Sequence, residues 1–213
     1  MSIKTRRILM SLFGVLLCAV SVGIFKIAAL GVDPFQSLMS GLDHMIPIDF
    51  GTLYVIVNAL LLVFSLIVDR GKIGLATFIN LFLLGYVTEF SYNFFQSVIV
   101  APSLPVRFLC LGVGVVTICI ASALYMTADL GVSTYDAVAI VMAEKWKVAR
   151  FKYCRVATDL VCVVCGVALF LLSGGAWDTV PAIAGVGTVI TAFFMGPLIE
   201  FFNEKIARPL LNR

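Results

Sequence analysis

Charge is what this sequence has least of. Only 13% of its 213 residues are Asp, Glu, Lys or Arg, against 62% hydrophobic, and that leaves too little polar surface to coat a water-soluble globule. A separate soluble domain is thereby excluded; the solvent that suits such a chain is lipid. Histidine is nearly missing as well. His44 stands alone in a connection, without a second histidine or a cysteine at ligand spacing, which argues against a metal centre. The chain carries no glycine-rich phosphate loop, no nucleophile elbow and no zinc-protease motif. It is therefore read as no enzyme and as needing no cofactor, so that any energy for work must come from a gradient or a partner. Cysteines 18, 110, 119, 154, 162 and 165 all fall in apolar runs, where a thiol behaves as a small apolar group. Cys162-Val-Val-Cys165 has a redox or metal spacing but no aqueous setting or further ligands.

What the sequence does have is a set of long apolar runs, with a mean hydropathy of +1.10. Six stretches are long enough to cross about 30 Å of hydrocarbon: Ile8 to Leu30, Phe50 to Val68, Gly74 to Gln96, Pro105 to Thr127, Tyr153 to Leu172 and Pro181 to Asn203. Backbone groups in lipid must be satisfied internally, so the expectation is an all-α polytopic protein. The first run continues past Lys26 without a small-residue cleavage site and is read as a retained span, not a signal peptide. Basic residues fall on alternate connections: Lys4, Arg6 and Arg7; Arg70 and Lys72; Lys145, Lys147, Arg150, Lys152 and Arg155; Lys205, Arg208 and Arg213. The intervening connections hold only Arg107. Positive-inside logic puts both termini in the cytoplasm. The net charge of +3 then reports topology and not nucleic-acid binding.

The chain also repeats itself about a hundred residues on. Gly14-Val15 recurs as Gly114-Val115, and Ala28, Leu30, Gly31 and Val32 recur as Ala128, Leu130, Gly131 and Val132. Phe50, Val55 and Asn58 match Phe151, Val156 and Asp159; Gly74, Thr77, Gly85, Glu89 and Phe90 match Gly185, Thr188, Gly196, Glu200 and Phe201. Residues 1–98 and 105–213 thus form two repeats of three spans each within a single membrane domain. Three is odd, so the second copy starts on the opposite side of the bilayer and the repeats are expected to be inverted. Duplication of this kind marks secondary transporters whose site lies where the halves meet.

After each first span comes a break. Gly31 stops one helix, and Asp33-Pro34 reads as the cap and first residue of the next. Gly131 does the same, followed by Ser133 or Thr134 as cap and Asp136 in the first turn. Residues 34 to 46 give about 13 helical positions, roughly 20 Å, too short for a span. These short helices are either re-entrant, with first-turn amides aimed between the halves, or amphipathic and interfacial. The candidate substrate site comprises Asp33, Pro34, Phe35, Gln36, Ser133, Thr134, Tyr135 and Asp136, with Phe35 and Tyr135 as apolar walls. Arg155 and Asp159 can pair one turn apart, and Asp159 matches Asn58 in the other copy. Lys26 is a further candidate, and Glu89 a proton-coupling acid.

Ala29-Leu30-Gly31-Val32-Asp33-Pro34-Phe35, Leu130-Gly131-Val132-Ser133-Thr134-Tyr135-Asp136, Gly185-Val186-Gly187-Thr188 and Phe194-Met195-Gly196-Pro197 together resemble the YczE/YyaS/YitT group of bacterial integral membrane proteins. The likeness runs along nearly the whole chain and implies a multi-span fold in the bacterial cytoplasmic membrane, without naming a substrate. Phe35 stands where a tryptophan is expected of close relatives, Gln36 where an acid is common, and the second copy lacks the proline. The function expected is a secondary transporter or exporter of a small polar or amphiphilic solute, with the bilayer and the solute as partners and homodimerisation left open. Two alternatives stay open: a substrate-binding subunit of an ATP-driven importer of the energy-coupling-factor type, and a membrane assembly factor that does not transport.

Overall fold

The computed structural model describes residues 2–212, apart from the side chains of Lys72, Phe151 and Lys152. Those three side chains, and Arg213, named above for charge or repeat matching, lie outside the described residues. The chain is helical: α1 (Ile3–Ala28), α2 (Pro34–Met45), α3 (Phe50–Val68), α4 (Leu75–Val98), α5 (Leu104–Ala128), α6 (Thr134–Ile140, running on into a π-helical turn Val141–Lys145), α7 (Phe151–Leu172), α8 (Val180–Ile183), α9 (Val186–Phe202) and α10 (Arg208–Asn212). Among the described residues six helical segments are long and apolar enough to cross a membrane, the last being Trp177–Asn212. Large apolar side chains such as Ile67, Phe90, Leu172 and Phe193 stay exposed on their flanks, as a lipid-facing surface requires and a watery one forbids.

Two boundaries differ from the sequence reading. The first helix begins at Ile3 rather than Ile8, because Ser2 caps it by accepting the Thr5 amide at 3.2 Å. The last span does not run unbroken from Pro181: it stops at Ile183, passes through extended Ala184 and Gly185, and restarts at Val186. Other caps follow the expected chemistry. Asp49 accepts the Thr52 amide at 2.8 Å at the start of α3, and hydrogen bonding from Thr52 holds its carboxyl below the usual range. His44, expected in a connection, occupies the last turn of α2 and meets the Ser173 hydroxyl at 2.8 Å.

The central pair is α1 against α5. Gly14 sits on Ala121 and Tyr125, the Ser21 hydroxyl donates to the Gly114 carbonyl at 2.7 Å, and Arg107 Nε donates to the Ala28 carbonyl at 2.7 Å. As numbers rise along α1 they fall along α5, so the two helices run antiparallel. Small residues let their backbones approach.

The break after each of these helices is held by backbone of the other half. Ala29 and Gly31 take left-handed φ of 49° and 100°, and Asp129 and Gly131 repeat this at 50° and 111°. The extended chain after α1 then pairs with the gap before α9: the Gly187 amide donates to Leu30 at 2.7 Å and the Val32 amide to Ile183 at 3.4 Å. The chain after α5 pairs with the start of α4: the Ala76 amide donates to Leu130 at 2.9 Å and the Thr77 hydroxyl to Val132 at 2.7 Å. Gly185 and Gly74 open their helices in the same way, each amide donating at 3.2 Å to a threonine three residues on.

From these breaks α2 and α6 set off beside a span of the opposite half. Ser37 and Gly41 of α2 touch Gly166 of α7, and His44 reaches Ser173, so α2 and α7 run in the same direction. Thr134 of α6 bonds Asn58 of α3 at 2.5 Å, and Lys145 bonds the Val68 carbonyl. Phe35 of α2 and Tyr135 of α6 join Val15 and Ala19 of α1 in one buried apolar cluster.

The glycine breaks give a direct test. A Cβ on Gly31 or Gly131 would sit 2.5 Å from the amide nitrogen of Gly185 or Gly74, while Gly112 and Gly196 have open space. Gly31→Ala and Gly131→Ala should each destabilise by at least about 1–2 kcal/mol, the left-handed cost alone. Gly112→Ala and Gly196→Ala should change stability by less than about 0.5 kcal/mol. Thermal unfolding in detergent measures both.

Candidate functional site

The two short helices begin head to head. Phe35 and Tyr135 stack with ring centroids 4.9 Å apart at 26°, and Tyr54 meets Phe35 edge-on at 5.8 Å. Each start is capped by its own chain: Asp33 Oδ1 accepts the Gln36 amide at 3.2 Å, and Ser133 Oγ accepts the Asp136 amide at 3.0 Å. Both caps are the ones the sequence reading expected, and each engages one first-turn amide of its helix.

Beside the stacked rings lies an ionic cluster. Arg155 bonds Asp136 through Nη1, and its Nε lies 3.2 Å from Asp159 Oδ1. Its guanidinium also covers the Tyr135 ring at 4.4 Å. The one-turn pairing of Arg155 with Asp159 is as expected; the bond to Asp136, across from α7 to α6, is the addition that the fold makes. Hydroxyls complete the carboxylates: Tyr135 donates to Asp159 at 2.5 Å, and Tyr125 and Ser133 donate to Asp136 at 2.9 Å and 2.6 Å. The side chains of Arg155, Asp136 and Asp159 keep 28%, 17% and 14% exposure, so the cluster is reachable and not sealed. Asp33 lies within electrostatic range of both Arg155 and Asp159.

On the other side of the rings the groups are neutral. Asn58, 1% exposed, accepts the Thr134 hydroxyl at 2.5 Å and donates to the Tyr54 carbonyl at 2.9 Å. The Tyr54 hydroxyl donates to Asn80 at 3.3 Å. Gln36 is buried with its Oε1 unpartnered, an acceptor that a bound donor would satisfy.

Asp33, Pro34, Phe35, Gln36, Asn58, Ser133, Thr134, Tyr135, Asp136, Arg155 and Asp159 are thus brought together. Lys26 and Glu89 are not among them. Lys26 Nζ lies 3.4 Å over the Phe50 ring, and Glu89 accepts the Gly51 amide at 3.1 Å, both at the start of α3. Tyr125 and Tyr54 were missed by the sequence reading. Tyr125 is the repeat mate of Phe25 and Tyr54 that of Arg155 at the same offsets, and an extra hydroxyl at one matched position is the signal that could have found Tyr125. Among the described residues no three His, Cys, Asp or Glu side chains are placed to hold a metal ion.

Comparison with known proteins finds a family model, described as a family of unknown function (DUF6198), matching residues 5–204. The uncharacterised protein YyaS of Bacillus subtilis is 23% identical over 200 residues, covering 94% of each chain. An uncharacterised protein of Haemophilus influenzae is 24% identical over 200 residues, covering 92% of this chain and 83% of its own. No solved structure matches.

Removing one partner from a buried charge cluster leaves the rest uncompensated. Arg155→Met should therefore destabilise by about 3 kcal/mol, the low end for breaking such a pair, because the cluster is partly exposed. Adding Asp136→Asn and Asp159→Asn should restore most of the loss, which thermal unfolding of the single and triple variants would detect.

Proposed function

We propose that this chain, which belongs to the family of unknown function DUF6198, is a secondary transporter of a small polar or amphiphilic solute, built from two inverted three-helix repeats. Support for the inversion comes from matched contacts with exchanged roles. Leu30 and Gly31 meet the start of α9 just as Leu130 and Gly131 meet the start of α4, and α2 lies on α7 as α6 lies on α3. In this reading α2 and α6 are re-entrant helices entering from opposite faces, and the protein sits in the bacterial cytoplasmic membrane with both termini inside.

The observation that carries the reading is the convergence of both short helix starts on the Asp136–Arg155–Asp159 cluster, whose Arg155 and Asp159 lie in a segment long and apolar enough to cross a membrane. Charged side chains in such a segment are costly and are kept where a pathway needs them. Discontinuous helices meeting at a repeat interface are how such carriers hold a solute at the midplane. Two carboxylates, Asp136 and Asp159, pair with one guanidinium. The excess negative charge suits a solute that presents a positive or hydrogen-donating group, or a proton that takes its place. Arg155 pairs with both Asp136 and Asp159, contacts that a solute or proton entering the site would have to displace. The hydroxyls of Tyr135 and Tyr125 supply the alternative donors.

Proteoliposomes tested with a panel of small cationic and zwitterionic solutes, with and without a pH gradient, address this reading. Wild type should move at least one solute, and Asp159→Asn should lower the rate at least tenfold while the variant still unfolds in a cooperative thermal transition. Absence of uptake, efflux and ligand-induced thermal shift across the panel would overturn the proposal. Orientation has its own test: reporters fused to either end should both read as cytoplasmic, and one outside would refute the topology.

A further inference from the structure

We propose that the cleft between α1, α4 and α5, away from the ionic cluster, binds an anionic phospholipid. A cavity of about 530 Å³ lined by Lys26, Arg107, Tyr92 and Gln96 adjoins an apolar groove of about 190 Å³ lined by Ile24, Phe95, Leu109 and Val113. The two share Ile27 and Ile99, so a polar compartment opens into an apolar one. That is the shape of a headgroup with an acyl chain.

Depth and charge agree with this occupant. At 1.5 Å per residue, Lys26 lies about 16 Å from the middle of α1 and Arg107 about 14 Å from the middle of α5. Both fall near the edge of a hydrocarbon core roughly 15 Å in half-thickness, where phosphates begin. Val113, by the same arithmetic, is only about 5 Å from the middle of α5, so the groove runs inward along the acyl chains. No carboxylate is among the described residues lining the cavity, and nearby Glu89 is engaged with the Gly51 amide. Arg107 spends donors on the Ala28 and Ala29 carbonyls and, with five in all, keeps others. Lys26 makes ring contacts with Phe50 and Tyr92 and lies within electrostatic range of Asp43 and Glu89, but neither carboxylate lines the cavity.

The matching place in the other half is not built this way. Lys26 has Met126 as its mate, and Arg7, the mate of Arg107, faces Asp129 at 3.9 Å. The cationic pocket therefore exists at one end of the molecule, and the lipid it selects belongs to one leaflet.

Native mass spectrometry of the detergent-purified protein, exposed to equal amounts of dioleoyl phosphatidylglycerol and dioleoyl phosphatidylcholine, tests the site. Wild type should retain the anionic lipid at least fivefold over the zwitterionic one, and Lys26→Gln should bring the ratio within twofold. Val113→Trp, which fills the groove and leaves both cations in place, should reduce retention of the anionic lipid and decides the matter should Lys26→Gln fail to fold. Millimolar inorganic phosphate should leave retention unchanged. Equal retention of both lipids by wild type, undiminished retention of the anionic lipid in the variants, or displacement by phosphate alone would overturn the assignment.

Discussion

A helix that stops inside a bundle leaves amides and carbonyls in need of partners, and this chain stops after α1, after α5 and between α8 and α9. Its answer is to let the breaks satisfy one another. Leu30 and Val32 bond to the gap around Ile183 and Gly187, while Leu130 and Val132 bond to Ala76 and Thr77. Two short extended pieces thereby replace missing helical bonds with bonds between the halves. Only glycine fits at the crossing points, because the opposing backbone already occupies the space of a side chain. The placement of α2 and α6, and hence of everything they carry, follows from that pairing.

The halves are alike in backbone and unlike in charge. Gln36, Tyr54 and Asn58 stand where the other copy has Asp136, Arg155 and Asp159. One set is neutral and tightly buried; the other is ionic and partly accessible. The two short-helix starts have similar surroundings, and only one of them carries ions, which are costly to bury without partners. The Phe35–Tyr135 stack joins the two starts. Lys26 follows the same pattern of asymmetry, with a charged residue in one copy and Met126 in the other.

Much of this was legible before any coordinates. Composition and run length indicated membrane-spanning helices, because lipid admits few other backbones. The spacing of Asp33-Pro34 after Gly31, and of Ser133 after Gly131, marked where short helices begin, since caps act within one turn. Arg155 and Asp159 were recognisable as a pair from their separation alone. Legibility failed where the partner was distant in sequence. Pro181 itself does not announce that the last span opens at Ala184 and Gly185; the match of Gly185 to Gly74 was the signal, and the partner that makes the opening necessary is Leu30, far back in the chain. Nor does Tyr125 declare itself, as its hydroxyl matters only once Asp136 is folded back against α5.

Local physics, then, is what the sequence by itself determined: apolar length, helix caps, glycine stops and the duplicated order of both. Those depend on neighbours within a few residues and on the solvent. The tertiary structure alone decided which candidates share a site. It joined Asp136 to Arg155 and Phe35 to Tyr135, and it set Lys26 and Glu89 apart at the start of α3. Contacts between side chains on different helices depend on where each short helix starts in the bundle, and that start is fixed by the hydrogen bonds at the glycine breaks.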